Sequence, residues 1–248
     1  IMLSLEAFAF YALASTVAVG LYVIVVALFS SAYPRFTQLL ANGEELMLKQ
    51  FYHKSCQAMT VLVMPLALVI CFFSAQLLQL WTRDESVAEL VAPILSVLVI
   101  GTALNGMMNL PFALQLAHGW TRLATHMNLT AIIILLPSLI VAVEMFGAVG
   151  AAVIWLALNA GYIVFGLLLM HKKIFTGELR RWAVTDFAIP TLVSFGVVAC
   201  FWIVFPDNLG EFWQLLWIVS TGVVACAASA WAAPAVRNEI LLRTGVRN

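Results

Sequence analysis

The sequence predicts an all-α fold, a polytopic membrane helix bundle of about seven transmembrane helices, and three observations carry that expectation. Hydrophobic residues make up 64% of the 248 positions and charged residues only 10%, against roughly a quarter charged in ordinary soluble domains. Seven apolar runs each approach the length that a helix rising 1.5 Å per residue needs to cover about 30 Å of hydrocarbon. Basic residues also collect in alternate connections between those runs.

The first run covers Ala7 to Ser31 and is expected to stop at Tyr33-Pro34-Arg35. Asn42-Gly43 then reads as a break, and Glu44 to Lys54 as a short helix lying against the bilayer, because Leu46, Met47, Gln50, Phe51 and Lys54 alternate between apolar and polar faces. The second run extends from Cys56 to Leu80 and is interrupted by Pro65. A third, from Val87 to Leu116, carries a narrow polar stripe in which Asn105 and Asn109 stand at i, i+4, with Thr102, Gly106 and Ala113 on the same side. Such a stripe must face protein or water, since lipid satisfies no amide. Pro111, just beyond it, cannot donate to the Met107 carbonyl and invites a kink. The fourth run is Leu123 to Val143. Gly147 begins a tight connection into a fifth that reaches Met170, the sixth covers Phe187 to Phe205, and the seventh Phe212 to Ala233.

Taken alternately, one set of connections receives eleven basic residues, Arg35, Lys49, Lys54, Arg122, Lys172, Lys173, Arg180, Arg181, Arg237, Arg243 and Arg247, and the other only Arg83. Positive charge marks the cytoplasmic side. The amino terminus is therefore expected outside and the carboxy terminus in the cytoplasm. Ile1 is not an initiator and no basic region precedes the first run, so a start within a longer protein is expected.

Net charge is zero and no basic-aromatic patch is present, which argues against a nucleic-acid partner. Cys56, Cys71, Cys200 and Cys226 show no C-x-x-C pairing and read as small core residues. His53, His118, His126 and His171 map to the cytoplasmic ends of spans without ligand-type spacing, so neither a metal site nor a cofactor is expected. Glu89 and Asp186 fall at span ends, where a carboxylate is expected to be hydrated, and no span carries an acid at its middle. With no paired acids and no Ser/His/Asp set, no catalytic residue is assigned. The amides Asn105 and Asn109 suit either a helix clamp or a hydrated cavity. Asn128, Asn159 and Gln57 are candidates for the same environment on three other helices, and Gln115 lies near the cytoplasmic end.

Five segments, FYALASTVA, LFSSAYPRF followed by NGEE, LLQLWT, GTALNGMMNLPFALQLAHGWTR and FGAVGAAVIWLALNAGY, together resemble the carboxy-terminal half of bacterial oligosaccharide flippases, within the superfamily that also contains the MATE multidrug exporters. The likeness covers about Phe8 to Lys173. Residues 1–173 would then be carboxy-terminal lobe helices, and 174–248 a basic connector, two further transmembrane helices and a cytoplasmic tail. The resemblance implies alternating access in the bacterial inner membrane, a polyprenyl-diphosphate-linked oligosaccharide (an O-antigen or exopolysaccharide unit) as substrate, and an amino-terminal lobe of the same protein as partner, with membrane lipids around both. In that reading Thr102, Asn105, Asn109, Asn159, Asn128 and Gln57 line the substrate cavity, while Arg122 is a possible headgroup contact. No span here carries the central charge expected for a diphosphate, which would leave that task to the other lobe or to Arg122. A cation-coupled multidrug exporter of the same fold is the alternative within transport. Part of a membrane-embedded glycan polymerase is the alternative outside it.

Overall fold

The computed structural model describes residues 3–206 and 209–243. Ile1, Arg247 and part of the Pro206–Glu211 connection lie outside the described residues. The first run forms two helices in line, α1 (Leu5–Val19) and α2 (Tyr22–Ala41). The Ser4 hydroxyl accepts the Ala7 N–H and caps α1, and the Gly20 N–H bonds to the Val17 carbonyl where the two helices meet. Helix α2 runs through Pro34 instead of stopping there, because a proline removes one backbone bond that a packed membrane helix can do without.

Gly43, at φ +72°, turns the chain directly into α3 (Glu45–Phe72). The surface helix expected at Glu44–Lys54 is therefore the first three turns of a span. Leu48, Tyr52 and His53 belong to the same buried face as Cys56, Met59 and Val63, so docking against protein overrides the amphipathic pattern. The second run ends at Phe73 and a separate short helix follows, α4 (Ser74–Thr82).

Asp84 accepts the backbone N–H groups of Ser86 and Val87 and so caps α5 (Glu85–Ala117), which continues through Pro93 and Pro111. Helix α6 (Arg122–Gly161) folds back on itself at Gly147, whose φ of 58° and ψ of −137° only glycine adopts readily. Its two arms lie antiparallel. A Cβ at Gly150 would sit 2.0 Å from the Ala142 carbonyl oxygen, and Tyr162 reaches back to Asn128. A π-helical turn, Tyr162–Gly166, leads into α7 (Leu167–Lys173). After α8 (Leu179–Arg181), a second π-helical stretch, Trp182–Ala188, enters α9 (Ile189–Ile203). Then come α10 (Glu211–Ala232) and the short α11 (Pro234–Arg243).

Among the described residues, six helices are long and apolar enough to cross a membrane. One of them, Arg122–Lys173, is the folded α6–α7 hairpin, and counting its two arms separately gives the expected seven. Basic residues gather at one end of the bundle, where Lys54 pairs with Glu239 and Lys173 lies over Trp120. Arg83 pairs with Glu211 at the other end.

Helices α3 and α5 form the centre, surrounded by α1, α2, α6 and α7 in one apolar core. Gly106 admits Val25 of α2, and Gly101 admits Trp155 of α6. The pair α9–α10 packs on the far side of α3 around a second, smaller cluster of Leu68, Val69, Phe73, Val198, Ile218 and Ala225.

Candidate functional site

The polar stripe of α5 is both a clamp and one wall of a hollow. Asn105 lies between two neighbouring helices. Its Oδ1 accepts the Tyr22 hydroxyl at 2.7 Å, and its Nδ2 donates to Asn159 Oδ1 at 2.7 Å. Asn159 is wholly buried and spends its own Nδ2 on the Trp155 carbonyl one turn back. The Trp155 indole N–H in turn donates to Thr102 Oγ1 at 3.2 Å. Thr102, Asn105 and Asn159 thus share one chain of bonds that ties α2, α5 and the second arm of α6 together. Tyr22 and Trp155 complete that chain and were not among the expected residues. The signal for Tyr22 was present, because a tyrosine in the middle of a span needs a partner for its hydroxyl.

From Asn105 toward the basic end, α5 and the first arm of α6 part slightly. The hollow between them has a volume of about 250 Å³ and is lined by Asn105, Asn109, Gln115 and Asn128 together with the aromatic rings of Phe112 and Tyr162. No charged residue lines it. Asn109 donates to the Asn105 backbone carbonyl at 2.9 Å, which holds the amide in place at the edge of the hollow. The Tyr162 hydroxyl donates to Asn128 Oδ1 at 2.6 Å, closing the side formed by the α6 hairpin.

On the other face of that Asn128–Tyr162 pair begins a much larger groove of about 1080 Å³. It runs toward the Gly147 end of the hairpin between α1 and the two arms of α6. Leu5, Phe8, Leu135, Leu139, Ile154 and Leu158 are among the residues that line it. A polar pocket in the basic half of the bundle therefore adjoins an apolar groove in the other half, with two side chains common to both.

Two expected members of the site stand elsewhere. Gln57 is buried on the opposite face of α3, where its Nε2 donates to Asp186 Oδ1 at 2.8 Å and its Oε1 accepts the Ala235 N–H at 2.8 Å. An amide in a span was the only sign available from the sequence, and an amide sitting beside a buried carboxylate gives the same sign. Arg122 is exposed at the start of α6 and does not line the pocket.

Asp186 is a correction in its own right: expected to be hydrated at a span end, it is wholly buried. Its Oδ2 contacts His53 Nδ1, and His53 is equally buried instead of reaching for the interface. His171, expected at the boundary too, is buried, with Nε2 3.5 Å from the Tyr52 hydroxyl. The cause is the connector 174–188, which folds over the end of α3 as a turn, α8 and a π-helical stretch and so shields these groups from water. Among the described residues, no group of three or more His, Cys, Asp or Glu side chains has the arrangement to hold a metal ion.

The family model described as MatE matches residues 1–143, which is more than half of the chain and runs from α1 through the first arm of α6. No curated protein and no solved structure matches.

Proposed function

The chain belongs to the MatE family of membrane transporters, and from that premise we propose that it moves a polyprenyl-linked oligosaccharide across the bilayer by alternating access. The observation that carries this reading is the shared Asn128–Tyr162 wall between an uncharged, amide-lined pocket and a long apolar groove. A lipid-linked sugar has the same two halves. Amides and aromatic rings can exchange hydrogen bonds with hydroxyl groups and stack against a sugar ring, which spares the head much of its dehydration cost. The groove offers the tail a surface as apolar as the lipid it leaves. With the basic end cytoplasmic, the head would enter from the cytoplasmic leaflet while the tail points toward the outer half.

In this proposal Thr102, Asn105, Asn109, Asn128 and Asn159 serve the sugar pocket, Thr102 and Asn159 by holding Asn105 in place. Arg122, exposed at the cytoplasmic end, is the first contact for the diphosphate. An amino-terminal lobe of the same protein closes the cavity from the other side, and the setting is a bacterial inner membrane with the amino terminus outside. The competing reading in the same family is a cation-coupled drug exporter. A cationic drug would find no carboxylate in this pocket, and that favours an uncharged sugar as its occupant.

The test replaces Asn105 and Asn109 together with leucine in the full-length protein. Membrane insertion should persist while surface polysaccharide is lost and drug-dependent growth stays unchanged. Unchanged surface polysaccharide would remove the two amides from the mechanism. Altered drug tolerance with intact polysaccharide would favour the exporter.

A further inference from the structure

The buried acid–histidine group at the basic end belongs to neither the pocket nor the groove. His53 and Asp186 are both wholly buried and in contact through Nδ1 and Oδ2. On the other side of the ring, His53 Nε2 lies 3.2 Å from Glu178 Oε2, close enough for an ion pair but without the angle of a hydrogen bond. An imidazole between two ionised carboxylates is satisfied only with a proton on each side of the ring. A neutral ring would turn a lone pair on one carboxylate.

We propose that His53, set between Asp186 and Glu178, is a proton-binding site whose protonated form docks the α9–α10 helix pair onto the rest of the bundle. The placement of the partners supports this. Asp186 sits in the π-helical stretch that leads into α9. Gln57, which donates to the same carboxylate, also accepts the Ala235 N–H just beyond the end of α10. The cluster therefore grips the pair where the chain enters it and where the chain leaves it.

At the opposite end, the pair packs on α3 through apolar side chains. Lipid tails replace apolar contacts at little cost, so such a surface gives weak hold in a membrane, whereas lipid cannot replace a buried polar partner. The exposed Arg83–Glu211 ion pair at that end competes with water and holds little, so the buried directional part of the docking lies at His53.

The other groups around it are accounted for. On α3 they are Tyr52, whose hydroxyl faces His171 of α7, Cys56, and Lys54, which pairs with Glu239 of α11. From the connector, Arg181 approaches Glu178 at 4.0 Å. Among the described residues, the hydrogen bonds and ion pairs of α2, α5, α9 and α10 bring no charged group to the cluster. Glu178 is a quarter exposed and gives the proton a path to water. On release, the Nε2 proton passes to solvent, the ring lone pair opposes the Glu178 carboxylate, and the connector lifts.

Hydrogen–deuterium exchange of the full-length protein in lipid nanodiscs tests this by comparing about pH 5.5 with about pH 9, which bracket the range in which histidine switches operate. Protection factors for segments 174–188 and 233–243 divide out the intrinsic pH dependence of exchange. In the wild type they should fall with rising pH, by up to about tenfold per pH unit for one linked proton. Glu178→Gln offers an amide N–H to the neutral ring and should keep protection high at both pH values. His53→Gln should abolish the pH dependence. Equal protection of the wild type at both pH values overturns the proposal. So does Glu178→Gln falling like the wild type or staying unprotected throughout, and so does a pH dependence that survives in His53→Gln, which would point to His171.

Discussion

Replacing Asn159 with leucine asks whether the amide junction on α5 is wet. Asn159 is wholly buried, and leucine has the same number and branching of side-chain heavy atoms, so it is the apolar replacement closest in shape. The substitution removes one interhelical bond, from Asn105 Nδ2 at 2.7 Å, while Asn105 keeps the Tyr22 hydroxyl on its oxygen. The energetic outcome turns on the surroundings of the freed N–H. Asn105 is only partly buried and lines the 250 Å³ hollow, so water can take the place of Asn159. The cost should then be that of one interhelical hydrogen bond, about 0.6 kcal/mol and no more than about 1.7. In a sealed junction the N–H would be left without a partner in apolar surroundings, at about 2 to 7 kcal/mol. Reversible unfolding of the purified full-length protein in bicelles, by steric trapping, reads this difference directly. A loss above about 3 kcal/mol would refute the hydrated pocket, and with it the reason for assigning that pocket to a sugar.

Two further outcomes concern the α6 hairpin and the connection before α5. Gly150→Ala would place a methyl group 2.0 Å from the Ala142 carbonyl oxygen, so the hairpin must open, with a thermal midpoint well below wild type. Gly161→Ala meets nothing within 4 Å and should be neutral or stabilising by up to about 1 kcal/mol; equal effects of the two would contradict the hairpin geometry. At the start of α5, the Ser86 hydroxyl and the Val87 and Ser86 N–H groups hold the Asp84 carboxyl below its ordinary value of 3.8. A depressed carboxyl contributes stability above its ordinary value and loses it as pH falls through the folded one. Ser86→Ala removes the largest cause, so the acid limb of the melting-temperature profile should move to higher pH; an unmoved limb would deny the cap that role.

The fold was legible where a pattern had one physical cause. Span length, loop charge and the turn at Gly147 each depend on local sequence, and the seven crossings result from them. The Glu44–Lys54 surface helix was misjudged because Leu46 and Met47 do stay exposed, while a second apolar face of the same turns docks on protein. Leu48 and Tyr52 went to protein. The candidate site divided along the same line. Asn105, Asn109, Asn128 and Asn159 could be grouped because a span interior leaves an amide few options. Gln57 was grouped with them by the same logic, and only tertiary structure could show that its partner was Asp186, 129 residues away along the chain. The burial of His53 and Asp186 was invisible for a related reason: a span end is hydrated unless a connector folds over it, and the connector's path is not written in hydropathy.

The chemistry of the pocket also bears on turnover. A carrier must bind its cargo tightly enough to desolvate it and loosely enough to release it on the far side. Buried charges give strong, geometry-sensitive contacts whose loss leaves an expensive orphan. Amides already bonded to neighbouring helices behave differently. Asn105 and Asn128 have their oxygens engaged by Tyr22 and Tyr162, so an arriving hydroxyl competes for part of their capacity and a departing one leaves them satisfied. In the proposed transport cycle, emptying the site would then cost little, and both the loaded and the empty lobe would be free to rock between two states. A carboxylate introduced at Asn109 should break that balance by leaving a charge beside Phe112 with no basic partner among the pocket residues; export should fall even if the sugar still binds. Export at the wild-type rate from Asn109→Asp would show that the neutrality of this pocket is incidental.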